Sequence, residues 1–512
     1  MARSLPILFI LLVSPIIAQG QKDEKAPDPS LFFRITVVDD ETGRGVPLVK
    51  LTTMTNTSCY SDSAGVAAFY EPSLMNRKVF FHVESHGYEF PKDGFGQRGR
   101  TLDVAPGGSA VLKIKRINIA QRLYRITGNG IYRDSILLGD AAPIRHPLDN
   151  AGVMGQDTAM TAIYRGRLFW IWGDTTNIRY PIAANFRTTA ARSDLPDKGG
   201  LDPEVGINLD YFREGDFVKP MVPLPNKSMY WLNSLFVAKD KAGTEHLLAD
   251  YAEVKAPMNI VGRGLVEFDD EKEVFQEIRK DPVDPLIPTS LMPSVVEDGG
   301  KTWFYFFQEV LSRTPTTYED VIDPKTHEAF TCLKDGCRFD GSAEQLDRAA
   351  DGTLRWAWRR GASPIGPKEM DKLVKAGHMK PDECRMRLVD IETGKDVAFH
   401  RGAMAYNPYR KRWIMIACQV QGTSALGEIW YAEADAPTGP WRSARKILTH
   451  DQYTFYNPIQ HPYFAKEGGR FIFFEGTYTK MFSGNKVATP RYDYNQVMHM
   501  LDLADPRLRP PR

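Results

Sequence analysis

Apolar and polar positions follow one repeating plan along most of the chain. Residues 155–176, GQDTAMTAIYRGRLFWIWGDTT, show it first. Two apolar runs flank the polar turn Arg165-Gly166, and an aspartate closes each run, Asp157 and Asp174. The two acids are equidistant from the turn centre, so a two-residue hairpin sets them opposite each other. Imperfect copies follow. NSLFVAKDKAGTEHLLAD runs from Asn233 to Asp250 around Lys241-Ala242, and SLMPSVVEDGGKTWFYFFQE from Ser290 to Glu309 around Gly299-Gly300. RGAMAYNPYRKRWIMIACQ runs from Arg401 to Gln419 around Arg410, and NPIQHPYFAKEGGRFIFFE from Asn457 to Glu475 around Lys466-Glu467.

These five hairpins predict an all-β chain. Runs such as LFWIWG and WFYFF are apolar on both faces, and such strands need neighbours on both sides. Radially stacked sheets supply them, so the pattern predicts a five-bladed β-propeller over residues 140–508. Segments such as EIWYAEADAPTGPW and NQVMHMLDL supply its outer strands. An unrelated sandwich, or six or seven blades, are the alternatives. Residues 311–395 read as an insertion, in which GPKEMDKLVKAG predicts a helix stopped at Gly377. With the hairpins as inner blade halves, their polar ends surround the mouth of a central channel.

The chain before this repeat has another character. Residues 31–116 hold short strands between Gly- and Asp-rich turns, which predicts a small Ig- or transthyretin-like β-sandwich. The pattern V.D..TG.GVP.V.L, then Y.SD.AG...F, resembles carboxypeptidase-regulatory-like domains. That resemblance implies an accessory module. Residues 117–139 read as a connector, neither helix nor strand. At the start, MARSLPILFILLVSPIIAQG has a positive residue, a short apolar run and a small-residue exit. It reads as a signal peptide over 1–20, with an uncleaved anchor as the alternative. A flexible spacer follows over 21–30. The mature chain is expected to be exported, periplasmic or extracellular.

Composition narrows the partners. The 512 residues carry a net charge of +1, and no basic run is interleaved with aromatics. Neither nucleic acid nor, after signal cleavage, a membrane is expected as partner. The oligomeric state is open. Five cysteines are too few and too scattered for a disulfide framework. Cys332 and Cys337 flank the turn LKDG, either as a local bridge or as two thiols. No Cys/His spacing reads as a zinc site, and no cofactor is required.

The opposed acids carry the chemistry. Cross-strand partners have Cβ atoms about 4.5–5.5 Å apart. Two ionised carboxylates there repel, and one holds its proton more tightly. Glycoside hydrolysis uses such a pair: one carboxyl protonates the leaving oxygen, the other attacks the anomeric carbon or activates water. A separation of about 5 Å belongs to the retaining mechanism and about 6.5–9.5 Å to the inverting one. The register leans to the former.

Five-bladed propellers with acids at the channel mouth resemble the arabinanase, β-xylosidase and levansucrase groups of glycoside hydrolases. An Asp before the first strand and GDT after the second more closely resemble a propeller family, once a domain of unknown function, that includes endo-acting D-arabinofuranosidases. That resemblance implies catalytic roles for Asp157 and Asp174. It covers one blade closely and the rest in outline. The ending TPRYDYNQVMHMLDLADPRL resembles uncharacterised exported bacterial proteins, which implies no activity.

Other polar residues at hairpin ends are secondary candidates. His400 and Arg401 open the fourth hairpin, where an arginine holds a substrate carboxylate or sulfate or offsets the acids. Asp250 and Glu309 close the second and third; acids of the first three blades share the work in the better-known propeller hydrolases. Glu428 reads as an acid/base residue or an edge glutamate. Asn457, His461, Glu475 and Tyr478 belong to the last blade, with His461 either structural or polarising a substrate hydroxyl. Most aromatics, Trp170, Trp172, Trp231, Tyr456 and Tyr494 among them, read as core, whereas Trp356 and Trp358 are placed for exposure. Two rival readings remain: a carbohydrate-binding propeller without turnover, and a structural Ca²⁺ site at the two acids.

Overall fold

The computed structural model describes residues 27–178, 188–223, 228–255, 259–283 and 292–509. The predicted signal peptide, most of the predicted spacer and Ser290 lie outside these residues. The described chain is all-β, with three short α-helices at Arg133–Leu137, Tyr318–Ile322 and Pro367–Lys375. The last is the helix predicted in 311–395. The Glu369 side chain accepts the Gly366 N–H at 3.1 Å, and Gly377 follows the helix at φ +73°.

Two four-stranded sheets occupy residues 33–116. Strand Phe33–Asp39 buries every second residue, as the two-residue strand period requires. Its Phe33, Ile35 and Val37 join Phe81, Leu102 and Ile114 in a core drawn from both sheets.

Five sheets of four to six strands follow, numbered I to V. Sheet I holds Met160–Tyr164, Arg167–Trp172, Thr189–Ser193 and Asp210–Tyr211. Sheet II holds Met229–Lys239, Glu245–Lys255, Asn259–Asp269 and Val274–Asp281. Sheet III begins with Met292–Asp298 and Lys301–Phe307, sheet IV with Phe399–Asn407 and Arg412–Gln419, and sheet V with Thr454–Gln460 and Phe471–Thr479. Each of the five predicted hairpins therefore opens one sheet.

The stretch read as an insertion supplies strands to two of these sheets. Leu311–Pro315, Glu328–Thr331 and Ala357–Arg359 complete sheet III, and Met386–Asp390 joins sheet IV. The stretch read as a connector holds the strand Gln121–Arg125, which pairs antiparallel with Asn495–Asp502 and completes sheet V. All five of its residues are buried, so it shows no alternation to read.

The apolar faces connect the sheets in a cycle. Phe169 and Ile171 of sheet I pack with Leu247 and Phe268 of sheet II. Phe236 of sheet II packs with Phe304 of sheet III, and Tyr305 of sheet III with Met415 of sheet IV. Ile416 of sheet IV shares a cluster with Phe474 of sheet V, and Phe473 of sheet V shares one with Trp170 and Trp172 of sheet I.

Register sets the hairpin ends. Tyr164 faces Arg167, Asn233 faces Asp250 and Asp298 faces Lys301, as the turn centres predict. Bulges break the symmetry elsewhere. Gln419 faces Phe399 rather than Arg401, and Glu475 faces Ile459 rather than Asn457. Each irregularity carries a left-handed residue: Ser234 at φ +52°, Arg401 at +42° and Asn457 at +50°, with Thr158 at +49° beside Asp157 in sheet I. Non-glycine residues in this region cost about 1–3 kcal/mol each and concentrate at functional sites.

Candidate active site

A cavity of about 580 Å³ lies where the starts of the hairpins converge. Sheet I contributes Asp157, Thr158 and Asp174, sheet II Trp231, Asn233 and Arg263, and the end of sheet III's hairpin Gln308. His400 and Arg401 come from sheet IV, and Tyr456 and Asn457 from sheet V. Three of the four left-handed residues, Thr158, Arg401 and Asn457, thus face the cavity.

The backbone links the two aspartates: Asp157 N–H donates to Asp174 O at 3.3 Å, and Gly173 N–H to Asp157 O at 2.8 Å. Their side chains have unequal surroundings. Asp157 Oδ1 accepts the Asp174 N–H at 2.8 Å, and Oδ2 accepts the Tyr456 hydroxyl at 2.6 Å. The Tyr494 hydroxyl also bonds to this carboxylate. Asp174 is buried, and its Oδ1 accepts Trp231 Nε1–H at 3.2 Å.

Those surroundings separate the two acids. Burial pushes the Asp157 carboxyl up, while the two tyrosine hydroxyls, the Asp174 N–H and the Arg401 charge pull it back. Burial, then the Asp157 charge, push Asp174 up to about 8, opposed by the Trp231 bond. The two carboxyls titrate as a pair, and these surroundings favour the proton on Asp174 over Asp157. Asn457 Nδ2 donates to Thr158 Oγ1 at 2.8 Å, and Thr158 N–H to Thr477 Oγ1 at 3.1 Å, so sheet V fixes the bulge beside Asp157.

Glu309 stands behind the cavity wall. It meets His400 Nδ1 at 3.1 Å and Lys368 Nζ at 3.7 Å. Burial opposes its charge, but His400, Lys368 and Arg401 together hold its carboxyl below the usual range. Burial lowers the Arg401 guanidinium, which Glu309, Asp157 and Tyr456 attract.

The remaining candidates do not line the cavity. Asp250 is buried within sheet II and hydrogen-bonded to Ser234, and burial pushes it up to about 7. Glu428 is no edge residue: it is buried and accepts Thr423 N–H at 2.9 Å and Thr423 Oγ1–H at 2.5 Å. His461 and Glu475, both fully buried, bond to each other at 2.7 Å. The Tyr478 hydroxyl bonds to Thr489 Oγ1 at 3.0 Å, with its ring stacked on Tyr453. These last three pack in the interior.

Trp356 and Trp358 are half-buried: Phe330 stacks on Trp356, and the Arg313 guanidinium lies 4.3 Å from the Trp358 ring centre. The aromatics at the cavity are instead Trp231, Tyr456 and Tyr494, with exposed Phe482 on the loop before Asn495. Tyr456 directly precedes the predicted Asn457, a proximity that sequence reasoning passed over. Arg263 sits on a third strand, outside any hairpin end. All five cysteines are unbridged. No group of three or more His, Cys, Asp or Glu among the described residues is placed to hold a metal.

No protein-family model matches the chain, and no curated protein does. Among solved structures, the chain is similar to an exo-β-1,3-galactanase from Phanerochaete chrysosporium with galactose. The identity is 9% and the TM-score 0.37, over 70% of this chain and 63% of that one. It is also similar to the GH43_1 enzyme from Xanthomonas citri complexed with xylotriose, at 11% identity and TM-score 0.31 over 68% and 86% of the two chains. A third structure, described with GH130 glycoside hydrolases that target β-1,2 mannosidic linkages, matches at 9% identity and TM-score 0.33 over 70% and 87%.

Proposed function

We propose that this chain is an exported glycoside hydrolase, a five-bladed β-propeller preceded by a β-sandwich, acting on a poly- or oligosaccharide at the Asp157–Asp174 pair. The closed cycle of shared cores from sheet I to sheet V supports the propeller. The observation that carries the activity is the asymmetry of the pair. Asp157 is bonded by two hydroxyls and a backbone N–H, while Asp174 has one indole donor, and burial beside the Asp157 charge favours its protonated form.

Two carboxyl groups whose environments drive their titrations apart are fitted for acid and base roles. Asp174 gives its proton to the departing glycosidic oxygen. Asp157 supplies the negative charge on the anomeric side, as nucleophile or as base toward water. Trp231 orients the acid, and Tyr456 and Tyr494 hold the carboxylate. Arg401 offsets its charge.

A Ca²⁺ site fits these residues poorly. A cation needs several free oxygen lone pairs, whereas both Asp157 oxygens already accept hydrogen bonds and Asp174 Oδ1 accepts the Trp231 N–H.

Sugar release by the mature protein from a polysaccharide panel that includes arabinans and sulfated algal glycans tests the reading. Release of new reducing ends is expected. Binding without release would favour the lectin reading.

A further inference from the structure

Three residues on neighbouring strands of sheet II form one row across the cavity wall. Trp231 faces Ala252, and Ala252 faces Arg263. Directly paired residues project from the same face of a sheet, with strands about 4.8 Å apart. Trp231 and Arg263 therefore stand about 10 Å apart, separated by a methyl group, and all three line the cavity. Trp231 is the residue that holds the acid Asp174.

Among the described residues, Arg263 forms no ion pair. Its one hydrogen bond among the described residues runs from Nε to Val283 O at 3.0 Å, and its two terminal nitrogens have no partner there. Asp281 faces Arg263 across the strands, but Arg279 engages both oxygens of Asp281, at 2.8 and 2.9 Å. Asp250, another carboxyl near Arg263, is buried inside sheet II, bonded to Ser234 and outside the cavity lining, and burial pushes its titration up to about 7. Arg401, on the same cavity, opposes Arg263 with like charge. Arg401 itself is drawn to Glu309 and Asp157. Met229, Leu232 and Ile260 form the adjacent apolar wall, where a charge pair is screened less than in water.

We infer that the Trp231–Ala252–Arg263 row is a subsite for an anionic sugar, one ring lying over Ala252 with its carboxylate or sulfate ester on the Arg263 guanidinium. The planar fork of an arginine pairs with either anion through two parallel hydrogen bonds. The inference rests on the glycosidase reading for its placement beside the acid, and it makes the substrate an anionic glycan.

The test is binding by the full chain carrying Asp174→Asn, which blocks turnover without changing the charge of a protonated acid. The probes are an oligogalacturonate, a sulfated carrageenan oligosaccharide and a neutral arabinan oligosaccharide. At least one anionic probe is expected to bind ten-fold or more tighter than the neutral one, and which one identifies the anion. Arg263→Met is expected to abolish that preference with thermal stability unchanged, Arg263→Lys to keep part of it, and Ala252→Met to weaken the anionic probe by filling the row. Equal affinity for neutral and anionic probes, a preference that survives Arg263→Met, or no binding by any probe would overturn the inference. Failure of the acid pair alone would abolish turnover in the wild type and leave this preference standing. Failure of the subsite alone would leave turnover of neutral glycans.

Discussion

The Tyr456 hydroxyl donates to Asp157 Oδ2 at 2.6 Å, which joins sheet V to the acid pair of sheet I. With the Tyr494 bond, it stabilises the ionised form of Asp157. Hydrogen bonds to a charged group contribute roughly 1.5–3 kcal/mol, and about 1.4 kcal/mol moves a titration by one pH unit. Tyr456→Phe is therefore expected to raise the Asp157 titration and move the acidic limb of the pH–rate profile up by about 1–2 units. An unmoved limb would separate Asp157 from that limb.

Asp174 predicts a conflict between stability and activity. Its carboxyl is held up to about 8 in the folded chain, above the ordinary 3.8. As pH rises from about 4 to about 8, the unfolded chain loses this proton and the folded chain keeps it, so the folded state loses stability over that window. Asp174→Asn, which cannot ionise, is expected to match the wild type near pH 4 and to exceed its denaturant midpoint increasingly toward pH 8. A constant difference across that range would contradict the assigned proton.

Gly173 tests how tightly the pair is built. A Cβ there would lie 2.3 Å from Asp157 Oδ1, and three donors hold that carboxylate in place. Gly173→Ala is expected to cost about 1–3 kcal/mol of stability, the usual range for overpacking. It should also lower kcat by more than ten-fold, since the reacting carboxylate must shift. Steady-state kinetics alongside denaturant unfolding would show both effects.

A buried histidine cluster predicts acid lability where the N-terminal sheets meet sheet V. The His450 ring lies 5.9 Å from His86 and 6.1 Å from His499, and the Arg122 charge acts on all three. Burial first, then neighbouring positive charge, hold them below the ordinary 6.5, His86 to about 4 and His499 to about 3. They stay neutral in the folded chain while the unfolded chain takes up protons, so stability is full above about pH 6.5 and falls as pH drops toward 3–4. His499 is fully buried and its Nε2 has no partner. His499→Phe is expected to flatten the fall of Tm between pH 6 and pH 4.

Much of this fold was legible because strand patterning is local. Mirror positions about each turn gave the pairing of Asn233 with Asp250 and placed Asp157 against Asp174. The bulges were not legible: the fourth and fifth turns centre one position or less from where they were predicted, an extra residue interrupts each hairpin at Arg401 and Asn457, and nothing in RGAMAYN or NPIQHPY marks a left-handed residue. Gln121–Arg125 was missed because a wholly buried strand has no alternation, and Arg263 because its role depends on sheet II bringing a third strand beside Trp231.

The most direct test of the central claim is sugar release by Asp157→Asn and Asp174→Asn beside the wild type, all three checked for folding. The acid pair predicts that each substitution lowers kcat by roughly 10²–10⁴-fold, the range of a positioned acid or base, with Asp174→Asn at least as stable as the wild type at pH 8. Unchanged sugar release in both variants would move the chemistry away from Asp157 and Asp174.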